Sequence, residues 1–185
     1  MKNLSNKVAI ITGSSSGVGA ATAKLLAAQG CNVVINYNSN ADGGNAVAVE
    51  CEALGVECLV IGGNVAEDAN CLAMAGAAIE KWGRIDILVN NAGTTKFVDH
   101  SDLHGLSSDD FQHIYGVNVI GSYQMIRAVS EQMQSQEEGG AVVNVASTAA
   151  VTGIGSSVAY AASKGALVTM TLSLARALGP KLRIN

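Results

Sequence analysis

The stretch "KVAIITGSSSGVGAATAKLLAAQ", residues 7–29, contains the pattern that decides the fold. Its first part, 7–12, is short, apolar and rich in β-branched residues, which predicts a buried strand. Its last part, 17–29, has the apolar spacing of a helix. A glycine-rich turn therefore joins the first strand directly to the first helix.

That turn, "TGSSSGVG" at 12–19, has glycines at Gly13, Gly17 and Gly19, a spacing that differs from the ordinary G-x-G-x-x-G fingerprint. Without side chains, the turn lets a pyrophosphate approach backbone N–H groups at a helix N-terminus, whose dipole favours negative charge. The serines at 14–16 can add hydroxyl donors. A turn that only lets strand and helix pack is the alternative, but its place after the first strand favours dinucleotide binding.

The same alternation continues along the chain. Apolar runs predict strands at 7–12, 32–37, 57–63, 85–91 and 140–147, and helical spacing predicts helices at 17–29, 42–54, 67–82, 109–134 and 158–178. Gly30, Gly55 and Gly83 follow helical runs as left-handed caps do. We therefore expect a single α/β domain over residues 1–185, a three-layer, doubly wound parallel sheet of the Rossmann type. The irregular segment 94–108 follows a strand end and is expected to line a site.

Composition excludes several classes of function. The formal net charge of −4 leaves no basic surface for nucleic acid. We find no signal peptide and no apolar stretch of membrane-spanning length, so a cytoplasmic protein without membrane contact is expected. The cysteines are not spaced as metal ligands or as a CxxC pair, which predicts free thiols in a reducing compartment and no metal. They are Cys31, Cys51, Cys58 and Cys71.

A second pattern of interest is "SVAYAASKGAL", residues 157–167, which places Tyr160 four residues before Lys164. About one helical turn separates them, so phenol and ammonium share a helix face. Such a pair occurs on many solvated helices, where the lysine stem covers the ring. However, a neighbouring ammonium also favours the ionised form of a phenol, which suits general acid/base chemistry.

The ordered set of motifs resembles the short-chain dehydrogenase/reductase family, including 3-oxoacyl-[acyl-carrier-protein] reductases. The matching segments are "TGSSSGVG" (12–19), "GNV" (63–65), "DILVNNAG" (86–93), "VN" (117–118), Ser147 and "YAASK" (160–164). They extend over nearly the whole chain.

This resemblance implies four catalytic residues. Tyr160 would be the general acid/base and Lys164 would also bind the nicotinamide ribose. Ser147 would hold the substrate oxygen, or it only caps a strand end. Asn118 would keep a water in a proton relay to the lysine, or it only satisfies backbone groups.

The resemblance also implies a nicotinamide cofactor, and hydride transfer belongs to that group. The cofactor-binding residues are expected to be Gly13, Ser15, Ser16, Gly17, Val18, Gly19, Asn38, Asn64, Val65, Asn91, Tyr160 and Lys164. By family register Tyr37 stands where an acidic residue would repel a 2′-phosphate. The absence of that acid favours NADP(H), although the usual arginine or lysine is also missing, so NAD(H) stays open. Asn38 and Ser39 could donate hydrogen bonds to the phosphate instead.

The resemblance also implies that "KLRIN" (181–185) is the start of a sixth strand, which in the family continues into a substrate lid and a last strand, so we expect a truncated chain. The helices at 109–134 and 158–178 resemble those of a family dimer interface, which implies a homodimer or homotetramer. The expected activity is reduction of a carbonyl or oxidation of a secondary alcohol, with 3-oxoacyl thioester reduction as one form. A sugar or polyol dehydrogenase and a catalytically silent dinucleotide-binding protein are the alternatives. An epimerase or dehydratase of the extended branch fits the glycine spacing less well.

Overall fold

The computed structural model describes residues 4–185 and contains a six-stranded, wholly parallel sheet. The strands are β1 Val8–Ile11, β2 Asn32–Tyr37, β3 Cys58–Gly62, β4 Ile87–Asn90, β5 Gly140–Asn144 and β6 Leu182–Ile184. The α-helices are α1 Gly17–Ala27, α2 Ala41–Glu52, α3 Asp68–Trp82, α4 Ser108–Tyr115, α5 Ser122–Ser135, α6 Ala149–Thr152 and α7 Val158–Leu178. The predicted fold class is confirmed.

The strand order is β3-β2-β1-β4-β5-β6. The chain therefore reverses its direction of winding between β1 and β4, where Ala9 pairs with Ile87 on one side and Val33 on the other. In such a sheet a crevice forms outside the carboxyl ends of the strands at the reversal. This reversal fixes the position of the site described below.

Two apolar cores lie on opposite faces of the sheet, which gives the three layers. Val8 and Ile10 of β1 face a core shared with α3 and α5, whereas Ala9 and Ile11 face one shared with α1 and α2. All four side chains are fully buried. Because neighbouring side chains on a strand point to opposite faces, a strand covered on both sides must be apolar throughout.

Helix ends follow the expected chemistry. Gly83 ends α3 with φ of 69°, in the left-handed region that glycine tolerates. At the start of α4, Ser107 and Asp110 form a reciprocal capping box, with Asp109 also in the first turn. Local sequence therefore determines where these helices begin and end.

The predicted helix over 109–134 forms as one helical run from Ser108 to Ser135, but its middle part is wider than an α-helix. A π-helical segment, Gly116–Gly121, separates α4 from α5 and contains Asn118. Such wide turns interrupt α-helices at functional sites. The short helix α6, which follows β5, was not predicted. The strand β6, Leu182–Ile184, lies where the family resemblance places the start of a sixth strand.

By length and composition alone, α7 could cross a membrane, the single such helix among residues 4–185. It instead packs against β5, β6, α4 and α6 and carries the buried Lys164. Long core helices of globular proteins pass the same test. All four cysteines are free and buried, and burial raises the pKa of the Cys31 and Cys58 thiols to about 12.

Candidate active site

The glycine turn is held in place by Asn91, the residue that follows β4. Its amide donates hydrogen bonds to the carbonyls of Thr12 and Gly13, each at 3.0 Å. Gly19 lies directly against this contact, because a Cβ there would sit 2.5 Å from Asn91 Nδ2 and 2.6 Å from the Gly13 carbonyl oxygen. The turn is thus packed tightly enough that only hydrogen fits at position 19.

Asn36 of β2 supports the turn from the other side, and the sequence analysis did not identify it. The Gly13 N–H donates to Asn36 Oδ1 at 3.0 Å, and Asn36 Nδ2 donates to the Gly63 carbonyl at 3.0 Å. A polar residue inside the otherwise apolar run "NVVINY" was the available signal. Asn36 therefore links the turn to the end of β3.

The prediction that three serines offer hydroxyl donors needs a correction at Ser14. Its side chain is fully buried, donates to the Ile11 carbonyl at 2.7 Å and accepts from the Asn36 N–H at 3.0 Å. Ser14 therefore fastens the turn to β1 and β2, and it is not a donor to a ligand. Ser15 and Ser16 line the cleft, as the sequence predicts.

A cleft of about 450 Å³ opens above the carboxyl ends of the strands. Its walls include seven of the predicted cofactor-binding residues: Gly13, Ser15, Ser16, Asn38, Asn64, Val65 and Asn91. The other five are not among its lining residues: Gly17, Val18 and Gly19 form the first turn of α1, and Tyr160 and Lys164 belong to α7. His113 of α4 also lines the cleft, although no role was predicted for it.

The end of β2 bears on cofactor choice. The ring of Tyr37 lies beneath Gly62, where a Cβ would sit 2.9 Å from the phenolic oxygen. Tyr37 thus packs against β3, and the residues that line the cleft at this end are Asn38, Ser39 and Asn40. Among the described residues, none that lines the cleft is acidic.

Helix α7 brings Tyr160 and Lys164 together, as their spacing predicts. The Lys164 Nζ atom lies 5.8 Å from the centre of the Tyr160 ring. Lys164 is only 4% exposed and its ammonium donates to the Val145 carbonyl at the end of β5, at 2.7 Å. Burial lowers the pKa of Lys164, because the charged form is partly deprived of solvent.

Asn118 connects three segments of the site. Its Oδ1 accepts from the Thr94 N–H at 2.8 Å, and its Nδ2 donates to the Thr94 carbonyl and to Ser163 Oγ. Between Asn118 and Lys164 lies Gly93, where a Cβ would sit 3.4 Å from Asn118 Oδ1 and 3.7 Å from Lys164 Nζ. Oδ1 can accept a second hydrogen bond, and a Cβ at Gly93 would be in ordinary van der Waals contact with both the amide and the ammonium.

Ser147 lies just beyond β5, half-buried, where its Oγ accepts from the Ala149 N–H at 3.1 Å. Ala149 is the first residue of α6, which packs against α7. A Cβ on Gly155 would sit 3.0 Å from Ala149 Cβ and 3.4 Å from Tyr160 Cδ1. The turn that follows α6 and contains Gly155 therefore reaches the ring of Tyr160.

The predicted site residues described above lie near the end of the sheet at which the strands terminate. A wider cavity of about 690 Å³ lies at the opposite edge, where the strands begin, and is bordered by Lys7, Asp86, Glu138 and Arg183. Asp86 is occupied there by a bidentate contact with Arg84 and by the Val8 N–H. These charges stabilise the start of the sheet and are remote from Tyr160.

Comparison with known proteins identifies the family. The model of the short chain dehydrogenase family matches residues 7–185, nearly the whole chain. The chain belongs to the short-chain dehydrogenase family. The protein is accordingly an NAD(P)-dependent oxidoreductase with a Rossmann-type fold.

Individual relatives agree with this assignment. The granaticin polyketide synthase putative ketoacyl reductase 2 of Streptomyces violaceoruber is 38% identical over 178 residues, which are 96% of this short-chain dehydrogenase and 70% of the relative. A short chain dehydrogenase from Burkholderia cenocepacia, solved in complex with NADP, superimposes with a TM-score of 0.90 at 36% identity. It is covered over 74% of its length, against 100% of this chain. NAD+-bound xylitol dehydrogenase gives a TM-score of 0.91 at 31% identity, covering 100% of this chain and 70% of that one.

Proposed function

We propose that this short-chain dehydrogenase interconverts a carbonyl and a secondary alcohol with NADP(H), and that Tyr160 is the general acid/base. The observation that carries the proposal is the buried Lys164 ammonium beside the Tyr160 ring. Water screens a buried charge weakly, so this ammonium acts on groups close to it more strongly than a surface lysine would. In reduction the Tyr160 hydroxyl donates its proton to the developing alkoxide, and in oxidation the phenolate accepts the proton of the alcohol.

The glycine turn fits a dinucleotide. The cradle at Gly13 and Gly19 has no room for a Cβ, and the turn leads directly into the N-terminus of α1, whose dipole favours negative charge. Ser15 and Ser16 add hydroxyl donors, while Asn64 and Val65 border the far end of the cleft. When bound there, the nicotinamide supplies the hydride.

NADP(H) is the cofactor that we favour, with NAD(H) as the alternative. The cleft wall after β2 consists of Asn38, Ser39 and Asn40, which can donate hydrogen bonds to a 2′-phosphate. A carboxylate at this place would repel the phosphate, and none of the described lining residues carries one. The NADP complex of the Burkholderia cenocepacia relative supports this choice, whereas the NAD+-bound xylitol dehydrogenase supports the alternative.

Ser147 and Asn118 complete the proposed machinery. The Ser147 hydroxyl lies at the carboxyl end of β5, where it can hold the substrate oxygen for Tyr160. Asn118 Oδ1 can accept a second hydrogen bond and lies across Gly93 from Lys164, and in our proposal a water joins its amide to Lys164 and passes protons to the lysine. A catalytically silent dinucleotide-binding protein would have no need of Ser147, Tyr160 and Lys164 together.

For the substrate class we propose 3-oxoacyl thioesters, on the similarity to the Streptomyces ketoacyl reductase. A sugar or polyol is the alternative, on the similarity to xylitol dehydrogenase. We further propose that residues 1–185 form one dinucleotide-binding domain of a cytoplasmic homodimer or homotetramer. The apolar outer side of α7, which exposes Leu172, supports association of this kind.

Replacing Tyr160 with phenylalanine tests the assignment. Tyr160→Phe keeps the ring and removes only the ionisable oxygen, so kcat should fall by about 10²- to 10⁴-fold while the Kd for NADPH changes little. The measurement is NADPH oxidation with acetoacetyl thioesters, other ketones and aldoses. Tyr123→Phe, a matched change on the exposed side of α5, is the control. Undiminished turnover by Tyr160→Phe would refute the role of Tyr160.

A further inference from the structure

An apolar surface borders the proposed catalytic residues, and no role has been assigned to it. Phe97, Val151 and Ile154 are 84%, 88% and 78% exposed, although side chains of this kind are usually buried. Phe97 belongs to the segment after β4, Val151 to α6, and Ile154 to the turn after α6. We call these three side chains the apolar wall.

Hydrogen bonds join the two segments that carry the wall. The Val98 N–H donates to the Ser156 carbonyl at 2.9 Å, and His100 Nε2 lies 3.2 Å from the Gly155 carbonyl oxygen. The hydroxyls of Thr95 and Ser156 also share a hydrogen bond. The backbone on both sides of Phe97 is therefore held beside Gly155 and Ser156, the two residues that follow Ile154.

The wall is continuous with the reacting groups. Gly155, the neighbour of Ile154, lies so close to Tyr160 that a Cβ would sit 3.4 Å from the ring. Val151 is in the helix that begins two residues after Ser147. A substrate whose oxygen lies between Ser147 and Tyr160 would consequently extend its remaining atoms along this surface.

The chemistry of the surface favours an apolar occupant over a polyhydroxylated one. The segment "AAVTGIG", residues 149–155, has no charged side chain and one hydroxyl. That hydroxyl, Thr152 Oγ1, already donates to the Thr148 carbonyl at 3.0 Å and accepts from the Ile154 N–H at 3.2 Å. The hydroxyl of Ser156 is engaged with Thr95. A sugar placed here would lose hydrogen bonds to water without replacement, whereas an aliphatic chain loses none.

We propose that the apolar wall binds an aliphatic chain of the substrate and makes this enzyme selective for carbonyl compounds with a long apolar arm. The inference rests on the proposed carbonyl–alcohol chemistry and specifies its substrate class. Phe97, Val151 and Ile154 determine the specificity, and Tyr160 performs the proton transfer. Burying one methylene against such a surface improves binding between about twofold and fourfold, depending on how fully water is excluded.

The test is the dependence of kcat/KM on chain length in thioesters of N-acetylcysteamine, from acetoacetyl to 3-oxodecanoyl, with NADPH. In the wild-type protein kcat/KM should rise about two- to fourfold with each methylene until the wall is covered. Val151→Ser and Ile154→Ser should each lower the ratio between the 3-oxooctanoyl and acetoacetyl values by about threefold or more. Val49→Ser, at a similarly exposed valine on α2, is the matched control and should leave the ratio as in the wild type.

Each outcome separates this inference from the function on which it rests. If kcat/KM stays constant or falls with chain length, or is higher with aldoses, the proposed role of the apolar wall is refuted while the carbonyl chemistry stands. A change of oligomeric state in Val151→Ser, with the chain-length ratio unchanged, overturns it too and makes the wall an interface between copies. Loss of turnover with every carbonyl and alcohol overturns the proposed function itself.

Discussion

The strongest structural constraint on cofactor binding is at Gly19, so Gly19→Ala is the most informative single change. The new methyl group would meet Asn91 Nδ2 at 2.5 Å, the Gly13 carbonyl oxygen at 2.6 Å and Ser14 Cα at 2.9 Å. Ordinary contact for a Cβ begins at 3.4 Å, so every one of these approaches is too short by 0.5 Å or more. Two of the three atoms belong to the backbone, which cannot turn away as a long side chain does.

The expected magnitude follows from two opposing effects. Forcing a methyl group into a packed region costs about 1–3 kcal/mol. Alanine in place of glycine within α1 returns at most about 1 kcal/mol through helix propensity. We therefore expect the free energy of unfolding to fall by up to about 3 kcal/mol, and each kcal/mol lowers Tm by roughly 2–4 °C for a chain of this length.

The same displacement should also weaken cofactor binding, because the glycine turn moves while both cores stay intact. We expect the Kd for NADPH, measured by fluorescence titration, to rise at least about tenfold, equivalent to about 1.4 kcal/mol. Gly76→Ala in α3 is the matched control: a Cβ there meets nothing within 4 Å, so the variant should be slightly stabilised with an unchanged Kd. If Gly19→Ala bound NADPH within twofold of the wild type, the close packing derived for the turn would be wrong.

Three further predictions concern charges. Lys164→Met removes a buried ammonium with one carbonyl partner, so calorimetry at pH 7 should show stability unchanged or raised by up to about 1 kcal/mol. Burial lowers the pKa of Lys164, so the charged ammonium destabilises the wild-type protein at neutral pH. This destabilisation disappears as pH rises toward the ordinary pKa of lysine, where the free energies of unfolding of the two proteins should become equal. A lasting loss of stability would contradict this, and turnover should be lost in any case. Asn38→Asp should lower the ratio of kcat/KM for NADPH over NADH about tenfold or more, and an unchanged ratio would place the 2′-phosphate elsewhere. Burial alone would raise the pKa of Asp86, but hydrogen bonds from Arg84 and others outweigh it and lower the pKa. Asp86→Asn should therefore cost about 2 kcal/mol at pH 7, and the difference in Tm from the wild type should shrink as pH falls through the acid range; a difference independent of pH would exclude the ionic contribution.

Much of the architecture could be predicted because its causes are local. The periods of the apolar pattern depend on neighbouring residues, so the strand 32–37 and the helix 158–178 have the predicted bounds. The four-residue spacing of Tyr160 and Lys164 likewise needs only helix geometry to bring the two side chains together.

The helix over 109–134 was predicted, but its π-helical segment was not, because the contact that accompanies this segment is not local. The π-helical segment surrounds Asn118, whose side chain binds the backbone of Thr94, 24 residues earlier in the chain. No pattern within the helix itself shows that partner. Sequence periodicity therefore detected a helical region and missed the interruption that positions one candidate site residue.

The sequence by itself determined the alternation of strands and helices, the position of the glycine turn and the pairing of a phenol with an ammonium. Only the tertiary structure decided which polar groups face the cleft and which form internal hydrogen bonds that support its walls. Ser14 and Ser15 are adjacent and identical, yet Ser14 bonds to β1 and β2 and is buried, whereas Ser15 lines the cleft. The physical reason is that hydrogen-bond partners such as Asn36 and Asn91 come from distant strands, and the sheet alone brings them to the turn.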